Sequence, residues 1–155
     1  MRKILLGLVF VLPLLAFVGC SNDDDESYIG KQRQFAGEDH TYGSYSYTDI
    51  LMNFSYVGET EGLFVLEYTY HTILVIDGKE FIGTSYEKSV SGIVTIFTEM
   101  KEMSFKGSDG GSAWYKLEDD GKWHVTSRIP ATSSQGYPIT YASYPYPEIM
   151  TEIKN

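Results

Sequence analysis

The sequence predicts an all-β domain, a single antiparallel meander of about eight strands closed as a barrel or packed as a β-sandwich. Three observations carry that expectation. The chain is rich in ring residues, with 13 Tyr, 2 Trp and 8 Phe in 155 residues, and aromatic and β-branched side chains favour pleated, half-buried surfaces. Two long stretches alternate apolar and polar residues at period two, the pattern of a sheet wetted on one face. Two Asp-Gly turns, taken as hairpins, set apolar residues opposite apolar residues.

The elements follow in chain order. A first strand is expected over residues 28–35. In 48–57, Ile50, Met52, Phe54 and Tyr56 share one face, while Asp49, Asn53 and Ser55 take the other. Residues 58–62, Gly-Glu-Thr-Glu-Gly, make a tight connection. In 63–76, Phe64, Leu66, Tyr68, Tyr70, Leu74 and Ile76 line one face, against Glu67, Thr69 and His71. Asp77-Gly78 suits a two-residue type I′ turn, which pairs Leu74 with Phe81 and Ile73 with Ile82. Strands are expected at 93–98 and 103–106, with a loop at 108–112. A three-residue loop, Asp119-Asp120-Gly121, pairs Leu117 with Trp123 and Tyr115 with Val125, which keeps one face apolar. Trp123 then falls in the core, and Trp114 falls on the opposite face with Lys116. The tail 147–154 reads as a short helix or a last strand. Gly30-Lys31-Gln32 resembles the Gly-x-Trp start of lipocalin-like barrels, with Gln32 in the Trp position. The resemblance implies a barrel and carries no ligand over.

The chain divides into residues 1–19, 20–27 and 28–155. Arg2 and Lys3 precede an apolar run over 4–18, broken only by Gly7 and Pro13. Such a run is too short to cross a bilayer, which takes about 20 residues, and reads as a secretory signal peptide. Phe17-Val18-Gly19-Cys20 resembles the lipobox of bacterial lipoproteins, with Phe17 where that family usually has Leu. The resemblance implies that Cys20 carries a diacylglycerol and becomes the N-terminus, so that lipid is the tether. Cys20 is the only cysteine, so no internal disulfide can form. The acidic residues after it would raise a thiol pKa, which argues against a reactive thiol.

Ser21, Asn22, Asp23, Asp24, Asp25 and Glu26 follow at once. Read as residues, they form a solvated, self-repelling linker. They are also similar to the export signal of Bacteroidota-type surface lipoproteins, which implies an outer-membrane protein facing the cell exterior. They lack the alternating spacing and Gly turn of a calcium loop.

Charge excludes some partners. Without residues 1–19 the chain keeps 10 basic and all 21 acidic residues, so −9 becomes −11. Such a surface repels nucleic-acid phosphates and anionic lipid headgroups. Catalytic signals are missing as well. His40, His71 and His124 have no metal-ligand spacing, no GxSxG elbow or phosphate-cradling Gly pattern occurs, and Glu118-Asp119-Asp120 reads as a hairpin tip. No cofactor or metal is expected, and the chain reads as a non-enzyme.

The positive hint lies in two Tyr-rich segments of loop character, 41–47 and 141–147. Tyr, Ser and Gly together suit adaptable binding loops, because Tyr gives large contact area at low entropic cost. The candidate binding residues are Tyr42, Tyr45, Tyr47, Trp114, Tyr144 and Tyr146. Alternatively, these Tyr close barrel ends or cover a sheet edge. The functional expectation is a lipid-anchored accessory or binding module at the cell surface that contacts glycan or protein. A carrier with an apolar lumen is the first alternative, and an enzyme of unknown class the second.

Overall fold

In the computed structural model, which describes residues 29–131 and 145–154, every regular element is a β-strand. In chain order these are β1 (Gln32–Gly37), β2 (His40–Tyr42), β3 (Tyr45–Tyr56), β4 (Glu61–Ile76), β5 (Lys79–Phe97), β6 (Glu102–Gly107), β7 (Ser112–Leu117), β8 (Trp123–Ile129) and β9 (Ile149–Ile153). They form one antiparallel sheet in the order β1-β9-β8-β7-β6-β5-β4-β3-β2, and a further β1–β3 pairing closes eight of them into a barrel. The short β2 is added beside β3, so the architecture is a barrel and not a sandwich.

Period-two burial builds the wall. Met52 and Phe54 on β3, Phe64, Leu66, Tyr68 and Tyr70 on β4, and Met103 and Phe105 on β6 all point inward. Burying each such side chain is worth about 1.5–3 kcal/mol. With Phe35, Tyr115, Trp123 and Met150 they make one core cluster inside the barrel.

Both hairpins adopt the expected registers. Asp77 and Gly78 have φ of 52° and 75°, as a type I′ turn requires, and Leu74 pairs with Phe81 and Ile73 with Ile82. Gly121 is left-handed at φ 77°, and Leu117 pairs with Trp123 and Tyr115 with Val125. Trp123 is buried and Trp114 is exposed on the outer wall.

Several boundaries differ from expectation. The first strand begins at Gln32 and runs to Gly37. The strand expected over 93–98 is only the end of β5, whose first half sets Phe81 and Ile82 side by side before a mostly polar run and so gives no alternation to detect. Residues 41–47 form a β2–β3 hairpin turning at Gly43-Ser44, where a loop was expected. Of the two forms expected for the tail, it takes that of a last strand, because β9 lies between β8 and β1 and closes the ring.

The pairing also defines two ends. At the near end the chain enters, with Gly30 N–H donating to the Tyr56 carbonyl at 2.9 Å. The turns after β3, β5 and β7 gather there. The far end carries the β2–β3 turn, the β6–β7 loop and the β4–β5 hairpin. The expected leader, Cys20, the acidic tract 21–26 and Tyr144 lie outside the described residues.

Candidate functional site

The two longest strands outrun their neighbours at the far end. β3 accompanies β4 only as far as the Tyr45–Thr72 pair, and β6 accompanies β5 only from Gly92. The remainder, Ile73–Ile76 paired with Lys79–Ile82, projects as a two-stranded arm. By strand parity Leu74, Ile76 and Phe81 continue the face that lines the barrel interior, and Ile73, Val75 and Ile82 take the other. The expectation put Leu74 and Ile76 on the face of Phe64 and Leu66, and their parity agrees. Beyond the rim that face meets no opposite wall, so Leu74 is 50% exposed and Phe81 49%.

The base of the arm is fastened. The register slips between His71 and Ile73, and the Thr84 N–H donates to Thr72 Oγ1 at 2.9 Å across the slip. His71 is held between Thr48 Oγ1 at 2.7 Å and Ser85 Oγ at 2.6 Å. Tyr86 stacks on Tyr70 with centroids 4.9 Å apart, and Tyr70 packs in turn against Tyr45 and Tyr47. Burial, helped by the neighbouring Tyr rings, pushes the Tyr47 phenol up to about 12, so that hydroxyl stays protonated near neutrality.

An isolated hairpin in water is marginal, so an arm with apolar residues on both faces is a surface suited to being covered. Among the described residues, no strand pairs with the outer edge of β5 from Lys79 to Val90. That edge is a row of backbone donors and acceptors, which an extended chain can complete.

The candidate Tyr residues divide around this base. Tyr42 is exposed on β2 and Tyr45 is half-buried at the start of β3. Tyr47 and Tyr146 are fully buried, which corrects their assignment to an exposed binding loop. Tyr47 turns inward because β3 bulges at Asp49, where φ is 50°, so Tyr47 and Ile50 face the core three residues apart. Tyr146 packs on Phe64, and its segment is fixed by Tyr115 Oη donating to the Pro147 carbonyl at 2.7 Å. Trp114 stands apart, stacked on Phe97 near the other end. Sequence reasoning missed the arm, although Ile73-Leu74-Val75-Ile76 offers no polar face and so breaks the alternation before it.

The near end is plugged. The Arg33 guanidinium lies 5.0, 5.4 and 5.7 Å from the Phe35, Phe54 and Trp123 rings and is bound to Glu152. Burial pulls its pKa down, but the bonds to Glu152 and Tyr56 outweigh that and leave it raised. The histidines stay apart, and no group of three or more potential metal ligands converges among the described residues. His40 is buried beside Arg128 and Glu148, and His124 pairs with Asp120 at the β7–β8 turn. No family model, curated protein or solved structure matches the chain.

Proposed function

We propose that this protein is a non-enzymatic accessory module, lipid-anchored at Cys20 and displayed on the outer face of the outer membrane, that engages a partner protein through its far end. The observation that carries the reading is the β4–β5 arm, a fastened ribbon with exposed apolar side chains on both faces and an edge that no strand among the described residues pairs. Aliphatic side chains and unpaired backbone groups recognise polypeptide, so the arm favours a protein over a glycan. Tyr42, Tyr45 and Tyr86 extend the surface around its base. The lipobox-like segment and the acidic tract support the anchor and the address. The chain enters the barrel at Gly30, so the anchored end is the near end and the arm lies at the other.

The test is site-specific photocrosslinking in the native cell. A photoreactive side chain at Ile82 should yield a discrete protein adduct that Val75→Asp abolishes. The same group at Glu118, on a near-end turn, should yield none. Equal adducts from both positions, or none at Ile82 in a folded and exported protein, would overturn the reading.

A further inference from the structure

We infer a second binding site at the near end, for the chain of a neutral, hydroxyl-rich ligand of the oligosaccharide class. It rests on observations independent of the arm. Two open depressions of about 390 and about 440 Å³ lie side by side and share Thr60, Ile96, Phe97 and Thr98. Each falls in the size range of ligand clefts, and together they form a groove for something longer than one ring.

The groove is built for rings with apolar faces and polar edges. Phe97 belongs to both depressions and stacks on Trp114 at 5.4 Å with only 12° between the planes. Trp114 is 39% exposed, so the pair continues as an aromatic shelf onto the outer wall. In the first depression Tyr56, Leu117 and Trp123 add an apolar lining. The C–H face of a pyranose can lie on such surfaces, while its hydroxyls need donors and acceptors at the rim. The rim supplies both, in the hydroxyls of Thr60 and Thr98 and the charged heads of Lys101, Glu59 and Glu102.

The charge balance narrows the ligand. Arg33 and Lys101 stand against Glu59 and Glu102, and Arg33 is already held by Glu152. No net positive field remains for an anion, and the whole chain carries −9. A wholly apolar ligand would strip water from this charged rim without replacing its hydrogen bonds. The groove is also preformed. Ile96 N–H donates to the Thr60 carbonyl at 2.7 Å, Met100 N–H to Phe97 at 3.1 Å, and Leu117 N–H to Lys101 at 2.9 Å. Binding therefore orders little backbone.

The experiment applies the purified protein to an array of neutral, sulfated and sialylated oligosaccharides, with palmitate titrated separately. Hits are then quantified by calorimetry and tryptophan fluorescence. A neutral oligosaccharide should bind and change the tryptophan emission. Phe97→Ala and Trp114→Ala should each weaken it by about tenfold, as loss of one stacking surface does. Trp114→Phe keeps a ring and should bind nearly as wild type, and an arm-shortened variant should bind unchanged. Near-UV circular dichroism verifies that each variant is folded. Absence of any neutral hit, tighter binding of palmitate or of anionic oligosaccharides, or full binding by folded Phe97→Ala would overturn the inference.

Discussion

Arg33 on the first strand grips Glu152 on the last, with Nε–Oε1 and Nη2–Oε2 bonds of 2.6 and 2.7 Å. The two lie 119 positions apart, and the β1–β9 pairing that they flank closes the ring. Their side chains are 21% and 29% exposed, between a surface pair and a buried one. Glu152→Gln should therefore cost about 1–2 kcal/mol, read as a lower urea midpoint at unchanged slope. The Arg33 bond holds the Glu152 carboxyl below its ordinary 4.5. The pair's contribution is complete above that ordinary value and is lost as pH falls through the depressed one. The gap between wild type and Glu152→Gln should thus narrow in acid.

His40 sets a second pH dependence. It is buried on β2, and Arg128 Nη1 donates toward its Nε2 at 3.3 Å, which leaves the Nδ1 proton facing Glu148 at 3.5 Å. Burial first, and then the Arg128 charge, lower its pKa below 6.5, against an opposing pull from Glu148. The neutral imidazole belongs to the folded state. Its contribution is present above 6.5 and is lost as pH falls through the depressed value. Chemical denaturation between pH 7 and pH 5 should show this loss in wild type. His40→Gln, which cannot titrate, should lack it.

The arm should be separable from the barrel. Replacing residues 75–80 with Asn-Gly leaves Leu74 and Phe81 flanking a new two-residue turn, with the parity that Ile76 and Lys79 have now. The removed side chains are exposed and outside the core. Thermal unfolding should shift by no more than about 2–4 °C, the effect of roughly 1 kcal/mol in a chain this size. A larger fall would mean that the arm packs on the barrel.

Much of the barrel was legible because strand alternation and hairpin chemistry are local. Phe64 to Tyr70 point inward as their spacing requires, and both Asp-Gly loops fix their registers. What local pattern could not carry were the breaks in it. The bulge at Asp49 changes the phase, so Tyr47 seemed to belong to a loop when it is core. Leu74 and Ile76 have the correct parity, but burial depends on a facing wall, and strand length relative to neighbours is a tertiary fact. The groove joins turns from β3, β5 and β7, and no single segment announces it. Of the candidate binding residues named from sequence, Trp114 is the one stacked on a groove residue, Phe97.

The proposed anchor makes the last prediction. Cys20 stands ten positions before Gly30, a span of at most about 35 Å when extended. A barrel tethered so closely can face outward only if the lipid sits in the outer leaflet. If the proposed lipid is the tether, Cys20→Ser should abolish metabolic labelling with a fatty acid and release the protein from membranes. Changing Asp23, Asp24 and Asp25 together to Ala should leave labelling intact but withdraw the protein from protease added to whole cells. If protease still reaches the triple variant as readily as wild type, the acidic tract is only a linker and the surface address must be given up.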